Sequence, residues 1–216
     1  MLPLGLGGTF ARLDMILCLG SHCDDIEIGC SGTVLKLLVQ CPAARVHWVV
    51  FSSDGVRAEE ARLAAGRLLA GANAEVRIER FRNGFFPYIG AEIKEYFEGL
   101  KQTVAPDVIF THYRNDLHQD HRTISELTWN TFRNHLVLEY EIPKYDGDIG
   151  TPNVYVPLSD EIRDRKVATV MECFPSQHDK PWFTPETFNA LMRLRGVESN
   201  SPSGYAEAFY GRKLVV

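Results

Sequence analysis

The sequence predicts an α/β protein: a mainly parallel sheet with helices on both faces, in a three-layer sandwich. Two observations carry this. Short apolar runs alternate with helical stretches along most of the chain, the signature of βαβ units. Polar clusters follow the first, second and fourth of those runs, where ligands of such sheets gather, beyond the carboxyl ends of the strands.

The elements follow in order. Residues 15–20 are an apolar run ending in Gly20, read as a buried strand feeding a loop. From Gly29 onward, Val34, Leu35, Leu37 and Leu38 supply one helical face. Residues 46–51 form a second strand, followed by turn chemistry at residues 52–55. Residues 59–69 are rich in Ala, Leu and Arg and predict a helix closed by Gly71. A third strand is expected at 76–81, a helix at 89–104, a fourth strand at 107–111 and a helix from about His121. Strands at 137–140 and 153–156 and helices at 160–173 and 185–195 complete the pattern. Residues 144–157, rich in Gly, Pro and Asp, read equally as a loop over the active site or a solvated surface loop.

Composition narrows the class. With 216 residues and 45% apolar content, the chain can bury one sizeable core, and a single domain over residues 1–216 is expected. A net charge of −5 argues against a nucleic-acid partner held by phosphate contacts. No run is long and apolar enough to predict a transmembrane segment, and the start lacks the basic region of a signal peptide. Five cysteines without a C-x-x-C pair suit reduced thiols, hence a cytoplasmic location. The early Gly5, Gly7 and Gly8 lack the strand-to-helix context of a dinucleotide fingerprint.

Two clusters carry chemistry. His22 and Asp25, three residues apart after the first strand, can turn toward one cation, while Asp24 stays free as a base. His118 and His121 follow the fourth strand at a helix entry, where i and i+3 side chains share a face. Two imidazoles and a carboxylate make a three-ligand catalytic zinc set with an open position. The same set suits ferrous iron. Spacing alone leaves open which of His118 and His121 is the ligand. The Asp24–Asp25 pair by itself would also suit magnesium in a signalling domain, a reading that leaves His118 and His121 unexplained.

These motifs carry a resemblance. Gly20, Ser21, His22, Cys23, Asp24, Asp25, Ile26 and Glu27, then Gly29, Gly32 and Thr33, resemble the first signature of the LmbE-like/PIG-L N-acetylglucosaminide deacetylases. Cys23 stands where that signature usually has Pro. His118, Gln119, Asp120, His121 and Arg122 resemble the second signature, with Gln119 in place of Pro. The helix over 57–71 is similar to the family's Arg/Glu-containing helix. The resemblance implies a Rossmann-like fold and a zinc site of His22, Asp25 and His121. It further implies that Asp24 is the general base and that His118 assists at the carbonyl or the leaving amine. Asp120 is expected to orient His118 or His121, or else to serve as a helix-start carboxylate.

On the substrate side, Arg57, Asp54, Asn115 and Asp116 lie on the expected catalytic edge, and all four also suit caps, turns or ion pairs. Phe85, Phe86 and Tyr88 read as sugar-stacking or as loop packing. Tyr145, Asp146, Gln177 and His178 are candidates for closing the pocket. The implied partner is a small N-acetylated sugar or glycoconjugate, and a homo-oligomer stays open. The alternatives are an amidase acting on another small amide, such as a thiol–sugar conjugate, and a non-catalytic sugar-binding relative.

Overall fold

A computed structural model describes residues 13–214. The Gly5–Gly8 stretch and most of the start considered for a leader lie outside them. Strands are β1 (Met15–Gly20), β2 (Arg45–Val50), β3 (Asn73–Ile78), β4 (Val108–His112), β5 (Leu136–Tyr140), β6 (Val154–Pro157) and β7 (Ala206–Gly211). Helices are α1 (Asp25–Gln40), α2 (Gly55–Leu68), α3 (Gly90–Thr103), α4 (Gln119–Thr131), α5 (Asp160–Cys173) and α6 (Pro185–Glu198). The sheet runs β3-β2-β1-β4-β5-β7-β6, with β1 to β5 parallel and β7 antiparallel to both β5 and β6.

Successive residues of β1 point into different cores. Ile16 and Cys18 join Val46, Trp48 and Val50 in one cluster, whereas Leu17 and Leu19 join Val49, Phe51 and Ile109 in the other. This is the period-two alternation of a strand buried on both faces. Helices α1, α2 and α5 pack together, as do α3 and α4. The expected three layers are therefore present. No helix among the described residues is long and apolar enough to cross a membrane.

Beyond helix α2, which begins at Gly55 rather than 59, three elements differ from the sequence expectation. Strand β3 occupies 73–78 rather than 76–81, in register with β2 from Arg45↔Asn73 to Val50↔Ile78. It is a largely exposed edge strand, so apolar patterning marks its place poorly. Helix α1 starts at Asp25 rather than near Gly29, with two acidic residues in its first turn, where the helix dipole favours them. Strand β7 was not expected at all. Glu207 interrupts its apolar pattern, yet is buried: it accepts from the Gly32 and Thr33 N–H groups and pairs with Lys166 at 2.5 Å.

The chain order places the site. After β3 the sheet restarts on the other side of β1 with β4, so β1 and β4 are neighbours whose connections leave in opposite directions. A crevice opens at such a switch point. Helix α1 sits close over it: a Cβ at Gly29 would lie 2.2 Å from the Tyr140 ring, whose hydroxyl donates to the Leu19 carbonyl at 2.7 Å.

Candidate metal centre and cleft

The loop after β1 carries His22, Asp24 and Asp25, and the segment after β4 carries Asp116, His118, Asp120 and His121. The two come together at the switch point. His22 Nδ1 lies 3.1 Å from His121 Nε2 and 3.4 Å from Asp25 Oδ2, and His121 Nε2 lies 3.5 Å from Asp25 Oδ1. A tetrahedral cation with bonds of about 2.0–2.1 Å spaces its donors roughly 3.3–3.4 Å apart. These spacings are of that order, with Asp25 turning Oδ2 toward His22 and Oδ1 toward His121, and the donor chemistry suits a small divalent metal. Taken one donor atom per residue, the possible ligand groups are His22, His118 and His121, and Asp25, His112 and His121, which share His121.

Hydrogen bonds fix each ring. His121 Nδ1 donates to Asp116 Oδ2 at 2.9 Å, which leaves Nε2 as its acceptor. Burial and the neighbouring His112 push the His121 imidazolium down to about 3, against the pull of Asp25 and Asp116. His22 behaves oppositely. Burial alone would lower it, but the Asp25 and Asp120 carboxylates outweigh burial and raise it to about 9. His22 Nε2 faces Asp120 Oδ2 at 3.3 Å, so Asp120 orients His22, and not His118 or His121 as expected. The Asp120 carboxylate also accepts from the Gly84 and Phe86 N–H groups, which tie the loop after β3 to the cluster.

His118 is the N-cap of α4, its Nδ1 accepting from the Asp120 N–H at 3.2 Å. The other nitrogen, Nε2, then carries the proton of the neutral ring. Burial and the adjacent His22 both lower the His118 pKa. Asp25 accepts the His22 N–H at 2.6 Å; burial would raise its pKa, but His121, His112 and His22 hold it well below the usual carboxylate range. Asp24 is raised by burial and by Asp25, against the opposing pull of Arg57, whose Nη2 donates to Asp24 Oδ1 at 2.6 Å.

His22, Asp24, Asp25, Arg57, His118 and His121 line one cleft of about 300 Å³. The remaining candidates sit elsewhere. Asp54 is exposed and caps α2, accepting from the Arg57 N–H, and Asn115 is exposed with its amide on the Tyr113 hydroxyl. Asp116 is buried behind His121, where it also accepts the His118 N–H at 2.8 Å and meets Lys144 at 3.0 Å. Phe86 packs in the core, while Phe85 and Tyr88 are exposed outside the cleft. Tyr145 and Asp146 do line it, so the 144–157 segment supplies part of its wall.

Sequence reasoning missed five residues. Asn83, Ile142, Lys180 and Trp182 line the cleft, two residues or more from positions it weighed. Their contributions come from loops whose path no periodicity encodes. His112 ends β4, fully buried, with Nε2 accepting from the Ser21 N–H at 2.9 Å and lying 3.2 Å from Asp25 Oδ2. A histidine at the carboxyl end of a core strand was the available signal.

Fold and cluster together define the class: a doubly covered α/β sheet with a candidate divalent-metal centre at its switch point. The sequence model of the PIG-L family, described as GlcNAc-PI de-N-acetylase, matches residues 17–132, and the chain belongs to that family. Solved structures share the fold at low identity. The conserved protein TT1542 from Thermus thermophilus is 22% identical, with TM-score 0.73, covering 94% of this chain and 96% of that one. The N,N'-diacetylchitobiose deacetylase from Pyrococcus horikoshii is 18% identical, with TM-score 0.68 and coverages of 97% and 87%. GalB, the 4-carboxy-2-hydroxymuconate hydratase from Pseudomonas putida KT2440, is 16% identical, with TM-score 0.66 and coverages of 94% and 98%.

Proposed function

We propose that the chain is a metal-dependent N-deacetylase acting on an N-acetylated amino sugar or glycoconjugate. The carrying observation is the convergence of His22, Asp25 and His121, whose donor atoms lie 3.1, 3.4 and 3.5 Å apart in pairs, beside a buried carboxylate, Asp24, that stands outside that triad. A hydratase shares this fold, so fold alone does not select the reaction. Family membership and the acid–base pair favour amide hydrolysis.

In this reading His22 Nδ1, His121 Nε2 and an Asp25 oxygen hold zinc, with ferrous iron the other cation the set suits. Bound there, the cation supplies Lewis acidity and makes a water more acidic. Asp24 takes the proton of the attacking water. Its raised pKa suits a group that must accept a proton and later release it. Arg57 holds the Asp24 carboxylate in place. His118, neutral with its proton on Nε2, donates a hydrogen bond to the developing oxyanion, and the proton that Asp24 took from water passes to the leaving amine, so neither role requires an imidazolium. Asp120 and Asp116 keep the His22 and His121 rings in orientation from behind.

The test is acetate release from a panel of N-acetylated sugars by the zinc-loaded protein. Asp24→Asn should retain about one metal per chain and lose on the order of 10²–10⁴ in rate. Unchanged acetate release by that variant would remove Asp24 from the mechanism. No acetate from any panel member, with metal bound, would move the reading to an amidase for another small amide.

A further inference from the structure

The family match ends at residue 132, yet nearly half of the cleft wall comes from beyond it: Ile142, Lys144, Tyr145, Asp146, Lys180 and Trp182. Three cations line the cleft, and they are not equivalent. Arg57 is paired with Asp24 at 2.6 Å. Lys144 is held by Asp148 at 2.5 Å and Asp116 at 3.0 Å. Lys180 has no carboxylate partner among the described residues.

What holds Lys180 is neutral. Its ammonium donates to the side-chain oxygen of Gln177, and Gln177 is buried with its amide on Ser176 at 2.8 Å. Ser176 is fastened in turn to Glu60 through its N–H at 2.9 Å and its hydroxyl at 2.5 Å. The ammonium is therefore positioned without a carboxylate ion pair among the described residues, and it lines the same cleft as Asp24. Beside it stand two aromatic side chains. Lys180 Nζ lies 5.6 Å from the Trp182 ring centre, and Tyr145, 71% exposed, meets Trp182 edge to face at 6.4 Å. A fixed, unpaired ammonium next to aromatic faces suits a ligand that joins a compact anion to a flat or weakly apolar ring. A lone lysine acts as a point charge without a fork, so it favours the anion of greater charge, and a phosphate monoester at roughly −1.5 to −2 exceeds a carboxylate.

We propose that Lys180, Tyr145 and Trp182 form an acceptor subsite selecting N-acetylamino sugars that carry a phosphate group, with Lys180 on the phosphate and the aromatic rings on the adjoining moiety. The proposal rests on the deacetylase reading for the acetyl-bearing end, but its test is separable. Binding is measured by calorimetry on zinc-loaded Asp24→Asn protein, with N-acetylglucosamine, N-acetylglucosamine 1-phosphate, UDP-N-acetylglucosamine and N-acetylmuramic acid as probes. The phosphorylated ligands should bind roughly 10-fold or more tightly than the neutral sugar, the scale of one charge-assisted hydrogen bond.

Lys180→Gln should collapse that ratio toward one, and Lys180→Arg, which keeps the charge, should preserve most of it. UDP-N-acetylglucosamine binding tighter than the 1-phosphate supports the subsite and marks the source as a nucleotide sugar; equal binding supports it and marks a simple glycosyl phosphate. A phosphate preference untouched by Lys180→Gln, no preference at all, or an equal preference for the carboxylate of N-acetylmuramic acid would each overturn it. Acetate release by the wild type is read separately, so failure of the deacetylase reading and failure of the subsite give different results.

Discussion

Asp24 and Asp25 are adjacent in the chain, yet the fold drives their protonation apart. Burial raises Asp24, while the three imidazoles around Asp25 overcome burial and keep it ionised. Two carboxylates pushed in opposite directions are the arrangement expected of a base beside a ligand. Glu27, one turn further along, is a different case. It is fully buried, and beyond its own backbone neither carboxyl oxygen meets a hydrogen-bond partner among the described residues. Burial pushes its pKa well up, so the fold holds it as a neutral acid. The unfolded chain ionises this group above about pH 4.5 while the folded chain keeps its proton, so stability is lost as pH rises above that value. Glu27→Gln, neutral at every pH, should leave the melting temperature at about pH 4 unchanged. At about pH 8 it should raise it by about 2–4 °C or more, the shift that ~1 kcal/mol makes in a chain of this size. A fall at both pH values in a thermal melt would mean that the carboxylate is charged and paired.

Among the elements, α1 does most to build the site, because its N-terminus carries Asp25 and its body rests on Tyr140. Gly29 makes that approach possible. A methyl group at 2.2 Å from an aromatic carbon cannot be accommodated without moving the helix or the ring. Gly29→Ala should destabilise the fold by about 1–3 kcal/mol despite the better helix propensity of alanine, seen as a lower urea midpoint at unchanged slope. A neutral or stabilising result would show that α1 is free to shift. The elements also differ in how legible they were. Helix α5 lay where its pattern put it, since a capping Ser159 and an acidic first turn mark its start. Strand β7 was illegible because its Glu207 is satisfied by Lys166 and by α1, partners 41 and 174 or more residues away.

For the whole molecule, the proposed metal site would couple metal, protons and stability. In metal-free protein the Asp25 and Asp120 carboxylates outweigh burial and raise His22 from about 6.5 in the unfolded chain to about 9. Its contribution is thus complete below about pH 6.5 and lost as pH rises toward 9. The stripped protein should therefore melt lower at about pH 9 than at about pH 6.5. Zinc at about 100 times its dissociation constant should add about 2.7 kcal/mol at either pH, read as a rise in melting temperature. No response to zinc would mean that the donors do not form a metal site.

Taken by itself, the chain determined the α/β class, most elements, and the two His/Asp clusters that mark the family. Those are local quantities: periodicity, caps and short spacings lie within a few residues of one another. Only the tertiary structure decided which groups meet. It paired Asp120 with His22, put Asp116 behind His121, and brought His112 against Asp25. It also carried Lys180 and Trp182 from the far end of the chain to the cleft. Most of these contacts join positions far apart in the chain, and they are set by strand order and helix packing, which no local pattern encodes.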